Sequence, residues 1–111
     1  MNIEEQRRGE VTVLRPQGPI IGSEVDQLAA CITKAMDGNC RAMVLDASTV
    51  TFVDSRGLEA LVDATEELIR HGQILKLAGV NDTLKEVLEL TELESLFEQY
   101  DDADAAVRSI E

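Results

Sequence analysis

The amino-acid sequence predicts an α/β fold: a mixed, mostly parallel sheet of about four to five strands with helices covering mainly one face. Three observations carry this. After two alternating segments at the start, short apolar runs alternate with segments whose apolar residues recur at helical spacing. Met43, Val44 and Leu45 are continuously apolar, as in a strand covered on both faces. Strands linked through helices run parallel, with right-handed crossovers. The 111 residues suit a single core, so positions 1–111 are read as one domain, without repeat or linker.

Taken in order, Ile3 to Arg7 and Val11 to Gln17 read as a hairpin turning at Arg8, Gly9 and Glu10. Gly18 and Pro19 break the second strand, Ile20, Ile21 and Gly22 form an apolar loop, and Ser23 is placed to cap a helix. That helix runs from about Glu24 to Met36 on the stripe Val25, Leu28, Ala29, Ile32, Met36, and Asp37, Gly38 and Asn39 stop it. Arg41 to Asp46 is the next strand. Phe52 and Val53 form an apolar hook into a second helix striped by Leu58, Leu61, Val62, Thr65, Leu68 and Ile69 and ended by His71 and Gly72.

Ile74 to Ala78 then alternates as a strand, and Asn81 or Asp82 caps a third helix carrying Leu84, Val87, Leu88 and Thr91 on one face. A turn and a short edge strand around Phe97 to Gln99 follow. A last helix starts near Asp101 or Asp102 and packs through Ala103, Ala106, Val107 and Ile110.

Composition narrows the function. A net charge of −12 argues against nucleic acid and anionic membrane surfaces, both of which need a basic face. The acidic surface serves either solubility or a basic protein partner. One tyrosine, two phenylalanines and no tryptophan provide no base-stacking platform. Cys31 and Cys40 do not have zinc-site spacing, and they are expected to be reduced and partly buried. The start MNIEEQRRGE lacks a signal-type apolar run, and no stretch approaches the roughly 18 apolar residues of a membrane span, so a cytoplasmic location is expected.

The central turn holds Asp54, Ser55, Arg56 and Gly57 at a helix start, where either Asp54 or Ser55 can cap. A phosphate on Ser55 would meet unpaired N–H groups and a favourable dipole, so Ser55 is read either as a cap or as a phosphoacceptor. Asp46 and Asp54 are read as structural acceptors rather than an acid–base or Mg²⁺ pair, and His71 as a helix C-terminal cap. GPIIGS, from Gly18 to Ser23, lacks the lysine of a phosphate loop. No cofactor, metal or catalytic set is expected.

The run with Asp46, then Phe52, Val53, Asp54, Ser55, Arg56, Gly57 and Leu58 resembles the signature of the STAS domain, the anti-sigma-factor antagonist family of bacteria. The element order over nearly the whole chain resembles it as well. The resemblance implies that Ser55 is phosphorylated by a partner that is both anti-sigma factor and serine kinase. Unphosphorylated antagonist binds that partner and frees the sigma factor; the phosphorylated form is released, and a serine phosphatase resets it. Binding is expected through Ile20, Ile21 and Ser23 of the loop, through Asp54, Ser55, Arg56 and Gly57 of the turn, and through Glu59 beyond it. Asp54 would hold the turn, and Gly57 would admit the partner's backbone. Two positions depart from the family pattern: no acid follows Gly18, where Pro19, Ile20 and Ile21 stand, and Arg56 replaces a usually small residue. A second reading is a constitutive STAS accessory subunit of a larger complex, such as a phospholipid-transport ABC system, with Pro19, Ile20 and Ile21 as the docking ridge. A third is a small nucleotide-binding sensor using the helix starts at Ser23 and Ser55.

Overall fold

The computed structural model describes residues 2–38 and 40–110. Its elements are β1 (Asn2–Arg8), β2 (Val11–Gln17), α1 (Ser23–Met36), β3 (Ala42–Asp46), α2 (Ser55–Arg70), β4 (Ile74–Ala78), α3 (Asp82–Leu90), a 3₁₀ turn (Glu94–Leu96), β5 (Glu98–Tyr100) and α4 (Ala103–Ile110). The sheet has five strands in the order β1-β2-β3-β4-β5. β1 is antiparallel to β2, and every later pair is parallel.

Spatial order equal to chain order has a consequence for the helices. Each crossover steps the same way across the sheet, so right-handed connections put α1, α2 and α3 on one face. The strands supply that face by alternation: Leu14, Met43, Leu45, Leu75 and Leu77 pack with Leu28 of α1, Leu61 and Leu68 of α2 and Leu88 of α3. The intervening residues Val11, Val13, Ala42, Val44 and Ala78 meet Ala106 and Val107 of α4 on the other face. The helices thus cover mainly one face, with one short helix behind.

Local differences from the expected elements have physical causes. Gly22, not Ser23, caps α1, and Ser23 is its first helical residue. The φ of 57° at Gly22 turns the chain sharply into the helix, a conformation costly for a side-chain-bearing residue. β3 begins at Ala42, because the Arg41 N–H leaves the ladder to donate to the Glu10 carbonyl (2.7 Å). β5 lies one residue later than expected, and Phe97 plugs the core ahead of it. The expected stop of α1 falls on Asp37 and Gly38, while Asn39 lies outside the described residues. Cys31 is half-buried and Cys40 buried, both as free thiols. Among the described residues, no helix is long and apolar enough to cross a membrane.

Candidate functional site

The loops after β2 and β3 meet at the carboxyl ends of their strands, where α/β sheets place their sites. Ile20 and Val53 form an isolated parallel bridge. The Ile20 N–H donates to the Phe52 carbonyl (2.8 Å), and the Asp54 N–H donates to the Ile20 carbonyl (3.2 Å). This clasp sets the starts of α1 and α2 side by side.

Asp54 completes the junction. Its Oδ1 accepts from the Gly57 N–H at 2.7 Å and its Oδ2 from the Gly22 N–H at 3.2 Å, so one carboxylate caps α2 and ties it to α1. The Gly57 hydrogen bond, foremost, with help from Gly22 and the Arg56 charge, holds the Asp54 carboxyl below its ordinary value. Of the two capping candidates, Asp54 therefore caps, and Ser55 stands exposed as the first residue of α2.

The other expected contact residues separate into outward and inward groups. Ile21, Ser23, Arg56 and Glu59 are exposed. Arg56 reaches across to Asp26 of α1, with Nη2 3.3 Å from Oδ1. Ile20 is a correction: at 1% exposure its side chain belongs to the core, so of the apolar ridge only Ile21, at 37%, faces solvent. Gly57 is another. It is buried, and a Cβ there would lie 2.7 Å from the Ile20 carbonyl oxygen and 2.8 Å from Cγ1 of Val53. The backbone that Gly57 admits is the protein's own.

Sequence reasoning left out Phe52 as a contact residue. It stands 52% exposed beside the turn, while Val53 is buried. Successive residues of an extended segment point to opposite sides, so one of this pair had to face out. The Ile20–Val53 bridge decides which.

Asp46 and Asp54 are both occupied as acceptors of backbone N–H groups: Asp46 takes that of Ser48 at 3.0 Å, and its other oxygen lies 3.8 Å from Arg15 Nε. His71 caps α2, with Nδ1 2.9 Å from the Glu67 carbonyl oxygen. Among the described residues, no group of three or more His, Cys, Asp or Glu side chains is gathered to hold a metal ion.

The family model described as STAS domain matches residues 2–106. A comparison with curated proteins returned no match. Among solved structures, the chain is similar to an anti-sigma factor antagonist from Mycobacterium paratuberculosis, with 23% identity, a TM-score of 0.86, and coverage of 97% of this chain and 92% of that one. It is similar to an anti-sigma factor antagonist described as putative from Thermotoga maritima, with 20% identity, a TM-score of 0.88, and coverage of 96% and 92%. The Bacillus cell fate determinant SpoIIAA in its phosphorylated form is also similar, with 19% identity, a TM-score of 0.76, and coverage of 99% and 100%. At these identities the likeness is one of fold.

Proposed function

We propose that this chain, which belongs to the STAS domain family, is an anti-sigma-factor antagonist switched by phosphorylation of Ser55. One observation carries the reading. Asp54 does the capping, which leaves the Ser55 hydroxyl exposed at the positive end of a helix of 16 residues. The solved relatives whose titles name anti-sigma factor antagonists, one of them in a phosphorylated form, support it as fold analogues.

The partner in this reading is an anti-sigma factor with serine kinase activity, which brings the ATP. Ser55 Oγ attacks the γ-phosphorus, the bond to the β–γ bridging oxygen breaks, and the hydroxyl proton passes to a base of the kinase. Asp54 is unsuited as that base, since both its oxygens accept backbone N–H groups. Its task is positional.

The loops that adjoin the turn carry two exposed apolar side chains, Ile21 and Phe52. A partner seated there dries the hydroxyl at modest cost. A phosphate, with about 1.5 to 2 negative charges, is disfavoured in such an apolar interface and releases the partner. A serine phosphatase then restores the hydroxyl.

The test is phosphosite mapping by intact mass on protein from its native cells under growth and stress, joined to binding by two variants. Phosphate on Ser55 with condition-dependent occupancy is expected. Ser55→Asp should bind the co-purifying kinase at least about tenfold more weakly than Ser55→Ala. Equal affinity of the two variants, or a uniformly unmodified chain that co-purifies with an ATPase subunit, would replace this reading with the constitutive accessory subunit.

A further inference from the structure

A groove opens to solvent between α1 and α2, and the switch at Ser55 makes no use of most of it. Its main part, about 330 Å³, is floored by Ala29, Ile32 and Met36 of α1 and by Ala60 and Ala64 of α2. A second part of about 220 Å³ shares Ala29, Ala60 and Asp63 with the first and extends the groove to Arg56.

The walls differ in character. The α1 wall is mainly apolar, whereas α2 contributes Glu59, Asp63, Glu66 and Glu67. Both cations along the groove are engaged: Arg56 with Asp26, and Arg70 with Glu67. Arg70 feels Glu66 and Asp63 only after Glu67. Against these two cations the groove is lined by five carboxylates, Asp26, Glu59, Asp63, Glu66 and Glu67, so its α2 wall keeps a surplus of negative charge.

Small side chains on the floor allow another backbone to approach closely, and an apolar strip beside an acidic one matches an amphipathic helix with a basic flank. A second copy of this chain is a poor occupant, since each copy carries a net charge of −12. We propose that the groove docks a basic amphipathic helix of a partner protein. Its apolar stripe lies on Ala29, Met36, Ala60 and Ala64, and its Lys or Arg residues face Glu59, Asp63 and Glu66. The 14 residues of α1 span about 21 Å, which sets the bound segment at about four turns. This docking goes beyond the Ser55 switch and does not require it.

The probe is a labelled synthetic helix of about 18 residues, with leucines at i, i+3, i+4 and i+7 and lysines elsewhere, set against a scrambled peptide of equal composition. Amide NMR shifts are expected to cluster at Ala29, Thr33, Ala60 and Ala64. Asp63→Lys combined with Glu66→Lys should weaken binding by about tenfold or more. The pair Glu86→Lys and Glu89→Lys, exposed on α3, changes the net charge equally and should weaken it by less than about threefold. Equal losses in the two double variants, shifts spread over the acidic surface, or equal affinity for the scrambled peptide would overturn the proposal. No kinase, ATP or phosphate enters this assay, so its failure leaves the Ser55 reading standing, and the reverse also holds.

Discussion

Gly57 occupies the one point where the helix start, the Ile20 loop and Val53 crowd together. In an exposed helix interior, Gly to Ala gains about 1 kcal/mol. Here the added methyl would lie 2.7 Å from the Ile20 carbonyl oxygen, so the crowding opposes that gain. Gly57→Ala is expected to lower stability by about 1–3 kcal/mol, read as a lower urea midpoint. An unchanged or higher midpoint would show that the junction yields easily. The neighbouring carboxylate supplies a pH test. Because the folded state holds the Asp54 carboxyl below its ordinary value, its contribution is present above about pH 4 and is lost as pH falls through the folded-state value. Asp54→Asn keeps an acceptor for the cap and removes the charge. It should be less stable than the parent near neutrality, read as a lower urea midpoint, with the difference closing as pH falls through the folded-state value of the parent's carboxyl. A gap that persists in acid would mean that the charge is not what ties α2 to α1. The Asp-Ser turn and its helix were legible in the sequence. The inward turn of Ile20 and the self-packing of Gly57 were not, because both follow from the bridge between two loops over thirty positions apart.

At the scale of elements, the helices were readable from their apolar stripes, and β2, β3 and β4 from short, largely apolar runs, because these strands are buried on both faces. What periodicity could not show is how α4 is held. It buries little beyond Ala106 and Val107, and polar contacts join it to the sheet. Lys76 of β4, 6% exposed, donates from Nζ to Tyr100 Oη and to Ser109 Oγ, each at 3.0 Å, and pairs with Glu98 Oε2 at 2.8 Å. Lys76 and Glu98 are register partners, a fact invisible until β4 and β5 are paired. Burial disfavours the Lys76 charge, but the Glu98 carboxylate and Tyr100 hydroxyl outweigh it and raise its ammonium above the ordinary value. The clamp's contribution is therefore present below about pH 10 and is lost as pH rises through the folded-state value. Replacement of a buried ion by a hydrophobe of similar length is often neutral or stabilising, and Glu98 is already largely exposed. Lys76→Met should keep or raise the urea midpoint at neutral pH and remove part of the alkaline loss. A fall of more than about 2 kcal/mol would show that the ion pair itself anchors α4.

For the whole molecule, the 22 acidic residues against 10 basic ones create a field that acts in opposite directions on folding and on binding. In the folded state the carboxylates are brought close together, and their repulsion opposes compactness. Salt screens that repulsion over about 10 Å at 0.1 M and screens the favourable surface pairs as well. Pairs such as Arg8–Asp104 and Arg56–Asp26 are substantially exposed and contribute at most about 1 kcal/mol each, so relief of repulsion should win. Raising sodium chloride from about 20 mM to about 0.5 M should increase Tm by roughly 4 °C or more. Chloride is the appropriate anion, since sulfate strengthens apolar burial on its own account. Association with a basic partner should respond in the opposite sense, its on-rate falling steeply over the same range. Circular dichroism melts and stopped-flow association with the basic helix peptide test both arms on one sample. A Tm that falls with salt would mean that the surface pairs outweigh the surplus charge, and a salt-independent on-rate would mean that the acidic wall of the groove does not steer its occupant.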